Sequence, residues 1–234
     1  MKNCIPQQLA AAMIALGFQP AIAAAQTAVE LEVDLLEVHV GRGDDHLVLD
    51  STLTLGDGAD QLLVKAAGGS ETRTAFDDFE VQALYSRSLS DKAALHLGVR
   101  HDVRAGSDLT HGVAGMVVDV LPGLEAEHYV FVSQDGDLTG AGQLLLGIDF
   151  APQLVLEPRL AVGWSAQEIP DEALGNGFTD VEASLRLRHS LGENFNVYTG
   201  VVHERLLGST RSIAVAAGDP SRVTRAVLGF GFTF

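Results

Sequence analysis

Twelve short segments with apolar residues at alternate positions, joined by connections that are short and long in strict turn, constrain this chain more than any other feature. The segments are 31–40, 47–56, 61–68, 77–88, 93–103, 110–121, 124–133, 140–150, 154–165, 179–190, 195–205 and 223–234. A period of two is that of a β-strand, so each segment carries one apolar face and one polar or small face. The last of them, VTRAVLGFGFTF, sets Ala226, Leu228, Phe230, Phe232 and Phe234 against Arg225, Gly229, Gly231 and Thr233. The short connections are GDGAD near 56–60, LSDK at 89–92, LPG at 121–123, APQ at 151–153 and GEN at 192–194. The longer ones are GRGDDH at 41–46, the stretch 69–76, RAGSDL at 104–109, SQDGDLT at 133–139, QEIPDEALGNGF at 167–178 and LGSTRSIAVAAGDPSR at 207–222. This interleaving collects every short turn, with both termini, at one end. Bacterial outer-membrane barrels sort their connections in this way, and their closing strand ends on an aromatic. The expectation is an all-β chain: a transmembrane antiparallel up-and-down β-barrel of about twelve strands, with eight to ten as the smaller alternative.

The faces sort as the connections do. Leu95, Leu97, Val99 and Val103 alternate with His96, Arg100, Asp102 and Arg104. Val181, Ala183, Leu185 and Leu187 alternate with Asp180, Glu182, Ser184, Arg186 and Arg188. Alternation alone does not say which face turns inward. The N-terminus does bear on it. MKNCIPQQLAAAMIALGFQPAIAAAQT has Lys2, an apolar stretch from Leu9 to Phe18, and small residues Ala23, Ala24 and Ala25 before Gln26. That is the layout of a secretory signal peptide, so residues 1–25 are expected to be removed and 26–234 to form the barrel. The apolar set then faces lipid and the charged set a lumen. His101, His128, His203 and Arg205 fall on the apolar face and are expected near a membrane boundary, because charge at mid-membrane is costly.

Cleavage would take away Cys4, the one cysteine, and with it thiolate chemistry. It would leave 14 basic residues against 31 acidic ones, a charge near −17. Such a chain does not bind nucleic acid through phosphates, but it attracts cations.

The residues themselves resemble a known family. EVQALYSRSLSDKAALHLGVRHDVRAG at 80–106 is similar to the core of the copper resistance protein B family. So are EAEHYVFVSQDGDL at 125–138, LVLEPRLAV at 154–162, GFTDVEASLRLRH at 177–189 and VYTGVVHERLLG at 197–208. The resemblance runs from about residue 30 to the C-terminus. It implies an outer-membrane barrel associated with copper tolerance, copper as the bound or transported ion, outer-membrane lipid around it, and a periplasmic multicopper oxidase as partner. The chain departs from the family in two ways. A Met- and His-rich arm between signal and barrel is expected to be missing, since Met116 is the one methionine beyond the signal region. His101, His111 and His203 stand where the family commonly has aromatics. Thioether capture of Cu(I) needs several soft ligands, which one methionine does not supply.

Two groups of side chains can carry chemistry. A hairpin around 104–109 brings Asp102 near His111, and with His96 these are the candidate metal ligands, since imidazole and carboxylate suit Cu(II) or Zn(II). The other reading of them is a lumen hydrogen-bond pair or a loop-end contact. The second group is a lumen charge network of Glu80, Arg100, Glu125, Glu127, Asp180, Glu182, Arg186, Arg188 and Glu204, with Gln82 beside it. It reads either as a plug of ion pairs or as an acidic cation path. Asp44, Asp45 and His46 in an outside loop can hold a divalent ion weakly or simply be solvated. Ser107, Asp108 and His111 lie close in sequence but lack the flanking pattern of an activated nucleophile, so no enzyme is expected. The functional expectation is copper binding or passage at the outer membrane; the alternative is a structural or narrow-pore barrel with an ion-paired lumen and no copper role.

Overall fold

The computed structural model describes residues 28–41, 46–70, 78–104 and 107–234. The signal peptide expected at 1–25 and the loop carboxylates Asp44 and Asp45 lie outside them. The strands are β1 Val29–Gly41, β2 His46–Leu55, β3 Asp60–Ser70, β4 Asp78–Ser90, β5 Ala93–Val103, β6 Leu109–Leu121, β7 Leu124–Ser133, β8 Leu138–Leu146, β9 Ile148–Ala151, β10 Leu154–Ser165, β11 Gly177–Ser190, β12 Phe195–Leu206 and β13 Arg222–Thr233. Each pairs antiparallel with its neighbour, and β13 pairs back onto β1, closing the sheet. β8 and β9 both pair with β10, at Arg159–Ser165 and Leu154–Leu156 respectively. They are therefore one stave interrupted at Gly147, and the barrel has twelve staves. The boundaries lie within a few residues of those read from alternation.

The short turns gather at one end, where Gly56 N–H also bonds to the Ala28 carbonyl and Phe234 exchanges backbone hydrogen bonds with Leu31. Pro122–Gly123, with Gly123 at φ 78°, has the residue order of a type II turn. The outward face is apolar. Leu97, Val99, Val132, Leu160, Leu185, Val201 and Leu228 are all exposed, whereas the alternate positions His96, Asp102, Ser184, Arg186 and Arg188 are buried. A soluble barrel would have these sets exchanged. Aromatics mark both rims of the outward face. Trp164 opposes Phe178 at the loop end. Phe195, Phe230, Phe232 and Phe234 form a chain of ring contacts 5.3–6.5 Å apart at the turn end. Such girdles flank the apolar band of membrane barrels.

The alternation is interrupted at several places, and two departures from the pattern read in the sequence shape the lumen and its loop end. A bulge in β1 between Val33 and Leu36 places Asp34 and Glu37, three residues apart, both toward the lumen. The 207–222 connection, read as a plain loop, contains helix α1, Gly208–Ala217. Its run Ile213–Ala217 contains good helix formers among its alanines, and Gly218 at φ 95° ends it with amides returned to Ala214 and Val215.

Candidate functional site: the polar lumen

The strands alternate, so the buried charged groups collect on the inward face together with some apolar side chains, and the hairpins decide which polar groups meet. At the turn-side half, Arg186 donates to Glu37 through Nε (2.9 Å) and Nη2 (2.6 Å), a bidentate pair, and through Nη1 to Ser184 Oγ (2.8 Å). Glu37 Oε1 also lies 2.7 Å from His39 Nε2. Arg159 Nη2 donates to Asp34 (2.6 Å) and its Nε to Glu157 (2.9 Å). Arg188 reaches Asp34 (2.8 Å), and its guanidinium lies 4.4 Å over the Tyr198 ring. Three guanidiniums thus face three carboxylates, a formally neutral belt that ties β1 to β10 and β11. Val202, Val227 and Tyr198 are buried on the same side of the lumen. On the opposite wall Leu63, Leu84, Val113, Tyr129 and Phe131 form an apolar cluster. Lys65 lies 3.9 Å from Glu127 and 5.3 Å from the Tyr129 ring centroid.

Nearer the loop end, Arg225 donates to Glu204 (3.2 Å) and to His46 Nε2 (2.8 Å). Guanidinium has no acceptor, so His46 Nε2 must accept. Gly41 makes this reach possible, because a Cβ there would lie 3.0 Å from Arg225 Cγ. Glu182 opposes Glu204 on β11 and β12.

The β5–β6 hairpin builds the remaining corner. Arg100 and His111 are direct cross-strand partners. Arg100 clamps Asp102 through Nε (2.6 Å) and Nη2 (3.0 Å) and also reaches Glu80 (2.7 Å). Gln82 donates to Glu80 (2.9 Å), and the Arg100 guanidinium lies 5.0 Å from the Phe131 ring centroid. Asp102 is 7% exposed and His111 8%. His111 Nδ1 stands 3.8 Å from Asp102 Oδ2 and has no hydrogen-bond partner. Both side chains line a cavity of about 280 Å³. Its wall also includes Ile169, Glu172 and Leu174 from the β10–β11 connection, which folds over this end. Glu172 pairs with Arg104, Gln167 donates to Asp137 (2.9 Å), and the Gly175 amide donates to Thr210 of α1 (2.9 Å).

Of the three candidate ligands, the structure gathers Asp102 and His111. His96 lies six residues from Asp102 on the same face of β5, about 20 Å along the strand. Its Nδ1 is 2.8 Å from the Tyr129 hydroxyl. Among the described residues no three His, Cys, Asp or Glu side chains converge with metal-binding geometry. Of the charge network, Glu80, Arg100, Glu127, Arg186, Arg188 and Glu204 are in ion pairs. Asp180 accepts from Thr179, and Glu125 faces inward beside Glu127. Sequence reading missed Asp34, Glu37, Glu157, Arg159 and Arg225. Glu157 and Arg159 were legible as the inward positions of LVLEPRLAV; Asp34 and Glu37 were not, because the bulge breaks their period. Asp108 approaches His101 (4.0 Å) on the outward side, and not His111. His101 and His203 bond to Thr110 and Thr224 near the loop ends of their strands, and His128 stacks against Trp164.

A family model described as "Copper resistance protein B precursor" matches residues 27–234. A copper resistance protein B homolog of Pseudomonas syringae pv. tomato is 25% identical over 201 residues, 86% of this chain and 68% of that protein. Copper resistance protein B of Escherichia coli is 31% identical over 172 residues, 70% of this chain and 55% of that protein. Among solved structures, the KdgM porin superposes with a TM-score of 0.53 at 13% identity, over 88% of this chain and 99% of that one. The NanC porin does so with a TM-score of 0.54 at 10% identity and the same coverage. These likenesses show the fold.

Proposed function

The chain belongs to the copper resistance protein B family, and from that premise we propose that it serves copper tolerance at the bacterial outer membrane by taking copper into its lumen at the Asp102–His111 pair. The observation that carries the reading is the buried His111 Nδ1, without a hydrogen bond, 3.8 Å from a carboxylate oxygen. Metal–nitrogen and metal–oxygen bonds of about 2.0–2.2 Å let one ion span that gap. Imidazole with carboxylate is a donor set that Cu(II) accepts. Arg100 fixes Asp102 by donating to both carboxylate oxygens, of which Oδ2 also faces His111, while the acidic chain, with a formal charge of −16, raises the local cation concentration. Copper here is cargo, so a two-residue protein site completed by water suits capture and release better than a closed cage.

Equilibrium dialysis of the purified barrel with Cu(II), together with copper sensitivity of a deletion strain, tests this. Binding by the wild type, lost on His111→Ala and Asp102→Asn but kept on His96→Ala, is the expected result. No binding together with unchanged sensitivity overturns it. The family resemblance further points to a periplasmic multicopper oxidase at the turn end, testable by co-purification.

A second reading, a closed structural barrel without copper, is favoured by the Arg159–Arg186–Arg188 belt. A silent planar bilayer and no bound copper would establish it. An outer-membrane hydrolase would instead show lipid or peptide turnover that disappears on His111→Ala.

A further inference from the structure

The charge pairing inside the barrel draws attention to the cations that lack it. Of the Lys and Arg residues described, eight lie in ion pairs: Lys65, Arg87, Arg100, Arg104, Arg159, Arg186, Arg188 and Arg225. Three of the other four lie on one segment: Arg205 on β12, Arg211 on α1 and Arg222 on β13. Arg205 and Arg222 are direct cross-strand partners and both exposed. They share the outward face, because the alternate positions Glu204 and Arg225 point into the lumen and pair there.

Like charges set directly opposite each other on a sheet destabilise it. This pair occurs in a chain with only 15 basic residues against 31 acidic ones, where a carboxylate partner was readily available. The rows below it explain the placement. Along the outward face of β12 and β13 come Arg205/Arg222, His203/Thr224, Val201/Ala226, Thr199/Leu228, Val197/Phe230 and Phe195/Phe232. Ten residues at about 3.3 Å each, tilted by about 40°, span about 25 Å, the height of the apolar band of a membrane barrel. The arginine pair therefore sits at headgroup level on the loop side, above apolar rows and beside the His203–Thr224 contact (2.7 Å).

We infer that Arg205 and Arg222 form a binding site for the phosphate monoester of an anionic lipid in the leaflet at the loop end. Guanidinium forks match phosphate oxygens bidentately. One phosphate between the two side chains turns the repulsion into two charge-assisted contacts, while the lipid's chains run down the Val201–Ala226 column. Polar His203 and Thr224 add donors at the same rim. The inference rests on the membrane reading of the barrel and is independent of copper.

The test folds the wild type, Arg205→Gln, Arg222→Gln and the double variant into neutral-detergent micelles and measures lipid retention by native mass spectrometry. The probes are phosphatidic acid, phosphatidylcholine and inorganic phosphate. The wild type should retain phosphatidic acid roughly tenfold over phosphatidylcholine, the double variant should lose that preference, and Lys92→Gln, at the turn end, should keep it. A double variant that retains phosphatidic acid as the wild type does overturns the site. Inorganic phosphate bound as tightly as phosphatidic acid overturns the lipid source. Co-flotation of each variant with phosphatidylcholine vesicles is measured in parallel. Failure to float overturns the membrane reading and this inference with it, whereas loss of phosphatidic acid preference in the wild type alone overturns only this inference.

Discussion

Arg186, 2% exposed, and Glu37, 1% exposed, show how a charged lumen is kept stable in a barrel of this size. Each would be costly to bury alone; together they satisfy one another, with Ser184 and His39 completing the shell. Removing one partner leaves an uncompensated buried charge. Glu37→Gln should therefore destabilise the barrel by about 3–5 kcal/mol in urea unfolding from vesicles. The double variant Glu37→Gln with Arg186→Met should lose less than Glu37→Gln alone. If the single variant unfolds at the wild-type urea concentration, the belt is not an interlocked unit. His111 obeys the opposite logic. Its Nδ1 is buried without a partner, so His111→Ala should leave the unfolding midpoint nearly unchanged while abolishing Cu(II) binding. These two roles were unequally legible. Asp102 and His111 follow from hairpin geometry alone, whereas Glu37 answers to a bulge that alternation does not announce.

A strand in this barrel turns an apolar side outward and a charged side to the lumen, and on the membrane reading substitutions should register that difference. Leu228, mid-strand on β13 and 68% exposed, points outward. Leu228→Arg should cost about 2–4 kcal/mol of unfolding free energy in vesicles, and Thr224→Arg, on the same face near the loop end, about 0–1 kcal/mol. In a barrel whose outward face met water, both would be near neutral. Strand positions were legible because each side chain's environment repeats every second residue and a turn signal closes each run. α1 was not, because ten residues of helix between two strands carry too few turns to show a period and are stabilised by tertiary contacts such as Thr210 with Gly175. The Gly147 break was not legible either: a single glycine inside the 140–150 segment, with Ile148 and Phe150 resuming the alternation beyond it, does not by itself mark an interruption.

The molecule as a whole is a closed wall around a lumen divided into an ion-paired belt, an apolar cluster and a polar mouth. That division predicts low conductance. In planar bilayers the wild type should show small, cation-selective openings, since at the lumen mouth Arg100 and Arg225 offset Asp102 and Glu204 while Asp180 and Glu182 are in no ion pair among the described residues. The double variant Glu37→Ala with Arg186→Ala should raise the unitary conductance. Conductance unchanged by that pair would mean the belt does not obstruct the path. The inverted arrangement of faces underlies each of these expectations, and Trp164, the one tryptophan of the chain, reports on it without any substitution. Its ring lies on the outward face over Gly140, opposite Phe178. In vesicles of lipids brominated near the headgroup end of their chains, Trp164 emission should be strongly quenched, while aqueous iodide quenches it little. Efficient quenching by iodide with no effect of brominated lipid would mean that this face meets water, contradicting the account.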